Sequence, residues 1–405
     1  MKWKEANSET IARESPFQSF FGGGFECSTH KIRGGRRLDM VAATRHEEFA
    51  LRDYERLKKR NLRVAREGLR WHLVEQTRGR YDFSTALPIV RAARATATQV
   101  IWDLCHFGWP DHLDIFQPDF VTALASYGAA FAKWLHQETG EPGFFVPVNE
   151  ISFFSWAAGD EGDLFPFAHG RGFELKQQLV RAAIHAMDAI WAATPDARFV
   201  HVDPIIHVLA EPNRPQDKDK AEAYRRSQFQ SWDMLSGRLC PELGGNEKYL
   251  DIIGANFYPH NQWFYNLEGY KRVRKFWPIP RRSPLYRPFR EMLAELYARY
   301  RRPVYVAETG SENRIRASWF RYVCGETLAA IESGVPVKGM CLYPIVNHPG
   351  WNDCRHCHNA LWDYPDEQGK RKIYAPLVRE LQRWQKVFEH DAAASLDDPM
   401  ETAAA

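Results

Sequence analysis

Residues 144–150, Phe144-Phe145-Val146-Pro147-Val148-Asn149-Glu150, form an apolar, strand-forming run that ends abruptly in an amide and a carboxylate. A continuous apolar run reads as a strand buried on both faces, as in the parallel sheet of an α/β protein. An ionised carboxylate at the rim of a core is costly unless it is paired, so packing alone does not explain the Asn-Glu ending. A second stretch has the same build: Pro303-Val304-Tyr305-Val306-Ala307-Glu308, followed by Thr309-Gly310. Two carboxylates, each at the C-terminal end of a buried strand and far apart in sequence, point to a barrel with a paired acid site at its mouth.

The rest of the chain fits that frame. Strand-like segments occur at 20–28, 64–71, 99–106, 144–150, 199–203, 250–258, 303–308 and 337–343. Between and after them, helical patterning covers about 47–61, 83–97, 118–137, 173–193, 218–238, 287–300, 314–333 and 374–388. Strict alternation means parallel strands with helices outside, and eight units favour closure over an open sheet. The expected fold class is α/β, a single (β/α)8 TIM barrel with extended βα loops. It spans 19–390, behind an irregular lead-in at 1–18 and before a disordered tail at 391–405. The glycine run Gly22-Gly23-Gly24 lacks the Lys-Ser/Thr ending of a phosphate loop, and reads as close backbone packing in the first strand.

Composition removes several function classes. Net charge is +3 with acids and bases nearly balanced, so nothing points to a nucleic-acid partner. No stretch approaches the ~18 apolar residues of a membrane span, and no apolar signal segment follows Met1. Seven cysteines, an odd number, read as free thiols, which fits a cytoplasmic location. Self-association into a homo-oligomer stays open. Fourteen Trp and 25 Phe exceed ordinary needs; most fill the core, and the surplus suits a pocket for sugars.

Polar residues gather at the strand ends: Arg70, His106, Asn149-Glu150, Asn256 to Tyr258, and Glu308. In a (β/α)8 barrel that face carries the active site. Cleaving an acetal between sugars needs two carboxyls flanking the bond, one protonated and the other ionised.

These motifs resemble those of family 1 glycoside hydrolases, the β-glucosidase and β-galactosidase group within the clan A retaining enzymes. Val148-Asn149-Glu150 is similar to their FNEP segment, with Ile151 in place of proline. Val304 to Gly310 is similar to IYITENG, and Asp251 to Tyr258 to DFIGINYY. Leu361 to Tyr364 with Lys370-Arg371 resembles their closing segment. The likeness covers scattered motifs from about residue 20 to 388.

The resemblance implies a retaining β-glycosidase acting on a non-reducing terminal sugar, with no cofactor and no metal. It makes Glu150 the acid/base and Glu308 the nucleophile. Arg70 and Tyr258 would hydrogen-bond Glu308, Asn149 would bind the sugar 2-hydroxyl, His106 another hydroxyl, and Trp351 would lie under the ring. Asn256 joins them at the end of its strand. The usual Glu-Trp pair after the eighth strand is missing, and His348 or Asp353 stands as its substitute. Glu26 and His30 occupy the place of a sugar-binding Gln. The 259–284 loop, with Trp263, would form the leaving-group side. A clan A hydrolase or transglycosylase of unusual glycone specificity, and a catalytically inactive carbohydrate-binding barrel, are the alternatives.

Two further features stand apart. Cys354-Arg355-His356-Cys357-His358 has haem-attachment spacing and zinc-like residue types, and reads primarily as a thiol-bearing active-site loop. The basic run Lys271-Arg272-Val273-Arg274-Lys275, with Arg281-Arg282, reads primarily as a solvated loop.

Overall fold

The computed structural model describes residues 15–265 and 277–389. Eight strands close into a parallel barrel. They are β1 (Phe21–Gly24), β2 (Val64–Gly68), β3 (Gln99–Asp103), β4 (Phe144–Val146), β5 (Arg198–Pro204), β6 (Ile252–Asn256), β7 (Val304–Thr309) and β8 (Val337–Leu342). Each pairs with its sequence neighbour, and β1 pairs with β8 to complete the ring. The eight-fold strand–helix alternation in the sequence is therefore a (β/α)8 barrel.

Side-chain alternation along the strands builds the barrel interior. Val64, Ile101, Val146, Val200, Val202, Ile252, Tyr305, Ala307, Cys341 and Tyr343 form one buried cluster, with Phe17 against Tyr305 at 4.6 Å between ring centroids. The lead-in thus contributes a buried aromatic to the barrel rather than only an irregular polar segment. Backbone closeness explains β1: a Cβ on Gly24 would stand 2.2 Å from the Tyr343 ring, and one on Gly23 2.8 Å from Ile345.

The outer layer is made of α1 (His46–Lys59), α2 (Leu87–Thr96), α3 (Pro118–Thr139), α4 (Gly172–Ala193), α5 (Lys218–Arg226), α6 (Phe289–Tyr300), α7 (Arg316–Glu332) and α8 (Ala375–Phe388). All but α5 bury apolar residues inward, as Tyr54 and Leu57 do from α1, while Glu47 and Glu48 begin that helix and Lys58 and Lys59 end it, matching its dipole; α5 buries only Ala221 and packs on His207–Ala210. The expected 218–238 helix is broken instead: α5 passes through a 3-10 turn at Ser227–Phe229 into a short helix at Gln230–Leu235.

Two loops at the barrel mouth carry structure of their own. Gln262–Tyr265, expected as loop, pairs in parallel with His207–Ala210. After β8, Trp362–Pro365 pairs antiparallel with Arg371–Ile373. The basic run 271–275 and the expected tail at 391–405 lie outside the described residues. Among the described residues no helix is long and apolar enough to cross a membrane, and all seven cysteines are unpaired.

Candidate active site

Glu308 owes its position to an irregularity in β7. Against β6 the register runs Gly254↔Tyr305 and then Asn256↔Glu308, and against β8 it runs Met340↔Val306 and then Leu342↔Thr309. Both neighbours therefore advance two residues while β7 advances three. One extra residue re-aims the strand, as a bulge does. Tyr305 and Ala307 face the barrel interior, and the bulge brings the next residue, Glu308, to the same mouth.

Two donors hold the Glu308 carboxylate. Arg66 Nη1 donates to Oε1 at 2.6 Å, and Tyr258 Oη donates to Oε2 at 2.7 Å. The tyrosine is the one expected from the sequence, but the arginine is not. Arg70 lies beyond the end of β2, where it caps the short helix Trp71–Val74 and pairs with Asp39 and Glu47. Arg66 sits two residues after Val64 on the same face of the strand, so it points into the barrel and reaches upward. It is 1% exposed. Its fork spans Asp103, with Nε to Oδ1 at 3.0 Å and Nη2 to Oδ2 at 2.7 Å, and Nη2 also donates to Asn149 Oδ1 at 2.7 Å.

That last bond fixes the next group. Arginine only donates, so Asn149 accepts through Oδ1 and turns its amide nitrogen to His106 Nε2 at 3.1 Å. His106 Nε2 must then accept, leaving the proton on Nδ1, which donates to Asp103 Oδ2 at 2.8 Å. Cys27 Sγ lies 3.2 Å from the same Nδ1. Burial alone would raise the Asp103 pKa, but Arg66 and His106 more than offset it and hold the carboxyl below its ordinary value. His106 lines the cavity as expected, yet its Nε2 is engaged by Asn149. Asp103 is not among the residues expected from the sequence, because the strand-like run 99–106 continues to His106 whereas β3 ends at Asp103.

Glu150 stands just past β4 in a left-handed conformation, φ 45° and ψ 59°, uncommon for a residue with a side chain. Its amide donates to Val202 O at 3.0 Å, tying the turn to β5. Asn256 Nδ2 donates to Glu150 Oε1 at 2.7 Å. Burial, then the charge of Glu308, then that of Asp203 push the Glu150 carboxyl well above the usual range, against the pull of Asn256 and Arg66. Asp203 at the end of β5 accepts from the Ser152 amide at 3.0 Å and from Ser231, and burial pushes it up to about 6. One carboxyl is thus clamped between cationic and phenolic donors, while burial and neighbouring carboxylates raise the pKa of the other.

Glu150 and Glu308 line a single cavity of about 830 Å3 together with Glu26, His106, Asn149, Tyr258, Trp263, His348 and Trp351. Glu26 accepts from Ser28 through its amide and hydroxyl. Although burial raises it, His348, His106 and Ser28 bring its pKa below the ordinary value. His348 donates through Nδ1 to Pro349 O at 2.9 Å and accepts from Asn359 at 3.0 Å.

Besides Arg70 and Asn256, which is buried beneath Glu150, two expected residues do not line this cavity. His30 is fully buried behind the site, edge-on to Trp351 at 4.6 Å between centroids, and burial drives its pKa down to about 3. It backs the tryptophan and does not line the cavity. Asp353 is exposed on the loop after β8 and turns to Arg355 at 3.3 Å, so it does not substitute for a cavity carboxylate. Cys27, Asp103 and His106 have metal-compatible spacing, but Asp103 already engages the Arg66 guanidinium with both oxygens, which disfavours a cation there.

Neither a protein-family model nor a curated protein sequence matches the chain. Solved structures do. A β-glucosidase from Thermotoga maritima in complex with glucoimidazole matches with a TM-score of 0.74 at 14% identity, over 92% of this chain and 99% of that one. A family 1 β-glucosidase of the same organism with isofagomine lactam gives 0.70 at 15%, over 93% and 98%. The AHE enzyme from Alicyclobacillus herbarius gives 0.75 at 14%, over 92% and 99%. At such identity the likeness establishes a shared barrel over nearly the whole length, in line with the resemblance in the motifs.

Proposed function

We propose that the protein is a retaining β-glycosidase that hydrolyses O-glycosidic bonds at a non-reducing terminal sugar. The observation that carries the reading is the asymmetric pair: Glu308 gripped by Arg66 and Tyr258, and Glu150 held protonated by burial and by the charge of Glu308. Glycosidases need this division between two carboxyls.

In the first step Glu308 attacks the anomeric carbon as Glu150 passes its proton to the leaving oxygen, giving a glycosyl ester on Glu308 and a free alcohol. Once the ester forms, the Glu308 charge that raised Glu150 is gone. Glu150, now ionised, takes a proton from water as that water attacks the anomeric carbon and Glu308 leaves. Asn149 has its amide fixed by Arg66 and His106, and presents it to the 2-hydroxyl. Trp351 supplies an apolar face for the sugar ring, and Trp263, Phe264 and Tyr265 line the leaving-group side. The unpaired thiols support a cytoplasmic location.

A second reading, a clan A hydrolase or transglycosylase with an unusual glycone, draws on Glu26 and His348 both lining the cavity where a glutamate after β8 is usual. A panel of aryl β-glycosides (glucoside, galactoside, fucoside, mannoside, xyloside, glucuronide) tests both. Turnover of one sugar by wild type and not by Glu308→Ala supports the glycosidase and names its glycone. No turnover, with saturable sugar binding, would replace it by a carbohydrate-binding barrel.

A further inference from the structure

The Cys354-to-His358 segment takes no part in the chemistry above, and its geometry is not that of a thiol site. His356 forms an antiparallel bridge to Pro349, and burial alternates from His356 through Cys357 to His358. Cys357 turns inward and is 3% exposed, while His356 and His358 turn outward with their rings stacked at 4.5 Å. Cys354 is exposed on the preceding turn. The two thiols of the motif therefore do not converge, but the two imidazoles do.

A third donor comes from another part of the same loop. Asp363, in the strand Trp362–Pro365, places Oδ1 2.8 Å from His356 Nε2. One ligand atom from each of His356, His358 and Asp363 lies within 4.8 Å of the others. The carboxylate is anchored by the Asn347 side chain at 2.9 Å and by the Tyr364 amide at 2.8 Å, the kind of outer support that orients a metal ligand. The cation within the motif, Arg355, is turned away to Glu312 and Asp353. We propose that His356, His358 and Asp363 bind a divalent transition-metal ion of the zinc class. Two imidazole nitrogens and one carboxylate oxygen suit Zn2+ or Co2+, while Ca2+ and Mg2+ favour sets made of oxygen. His356 and His358 are solvent-exposed, so water completes the coordination.

The ion would brace the wall of the cavity. Asn347 donates to Asp363 and accepts from the Asn359 and Ala360 amides at 3.0 and 2.8 Å, and Asn359 donates to His348. His348, Trp351 and Asn359 all line the cavity. A metal at the outer end of this loop therefore holds the segment that shapes its inner end.

The test uses the full chain, stripped by chelator dialysis and titrated with Co2+ followed by Zn2+. The metal proposal stands apart from the reaction, because its readout is binding. Expected are one Co2+ per chain with visible d–d absorption and no thiolate charge-transfer band, displacement by Zn2+, and a higher thermal midpoint with Zn2+. The His356→Ala/His358→Ala variant should lose at least about tenfold in affinity, together with the thermal shift, and Cys354→Ser should match wild type. Three results would overturn the proposal: no stoichiometric binding, equal affinity in the double-histidine variant, or loss of binding in Cys354→Ser.

Discussion

Arg66→Lys keeps the positive charge at the centre of the site and removes only the fork. Arg66 donates five hydrogen bonds: two to Asp103 and one each to Glu308, Asn149 and the Ala307 carbonyl. A lysine ammonium has three donors at one point. At least two of the five bonds go unmade, and Glu308 and Asn149, served by different nitrogens, cannot both be reached from one point. Hydrogen bonds to charged groups contribute about 1.5–3 kcal/mol each, so two amount to about 3–6 kcal/mol. If the loss falls on the transition state, kcat/KM drops by about 10²- to 10⁴-fold. The assay is kcat/KM on the best aryl glycoside, with circular dichroism to verify folding. Arg70→Lys is the control, because Arg70 pairs with Asp39 and Glu47 away from the carboxyls. The reasoning fails if Arg66→Lys stays within tenfold of wild type or if Arg70→Lys is the variant that collapses.

Other outcomes follow from the same geometry. Glu150→Ala should lower kcat/KM on alkyl glycosides by about 10²- to 10⁴-fold, the usual contribution of a general acid, and far less on dinitrophenyl glycosides; equal losses on both would remove Glu150 from that role. Asp203→Asn deletes a charge that raises Glu150, so Glu150 ionises more easily and the basic limb of the pH–rate profile should move down. An upward move would contradict the assigned coupling. A stability effect is expected at His46, buried between Asp53 at 2.8 Å and Glu67 at 2.9 Å. Burial lowers its pKa, but the two carboxylates more than offset this and raise it to about 9 from 6.5. The charged pairing is fully present below about pH 6.5 and is lost as pH rises through 9, on the order of 3 kcal/mol. Urea unfolding of wild type and His46→Gln at pH 6.5 and 9.5 measures it, and an equal pH dependence in the variant would refute it.

The barrel was legible because each buried strand reads as an apolar run and each outer helix as an amphipathic one. The two carboxyls were legible because polar residues close such runs only at a working face. Arg66 and Asp103 were harder to see. Arg66 lies inside β2 on the interior side with Val64, and Asp103 ends β3 on the interior side with Ile101, three residues before His106. Counting two residues on from the interior-facing Val64 and Ile101 reaches both, whereas the last polar residues of the two runs are Arg70 and His106. The bulge that turns Glu308 inward leaves no mark in Val304 to Thr309, since it is fixed by pairing with β6 and β8. Asp353 and His30 were chosen by position along the chain. The loop after β8 instead turns Asp353 to solvent, and the packing of Trp351 covers His30.

The central claim is that Glu308 forms a covalent bond to the sugar. Incubating wild type with a panel of 2-deoxy-2-fluoro-β-glycosyl fluorides, followed by peptide mass mapping, tests it directly. The account predicts one added fluoroglycosyl group per chain, carried by the peptide containing Glu308, and none on Glu308→Ala. Turnover of β-glycosides with no adduct, or an adduct on another residue, would contradict it.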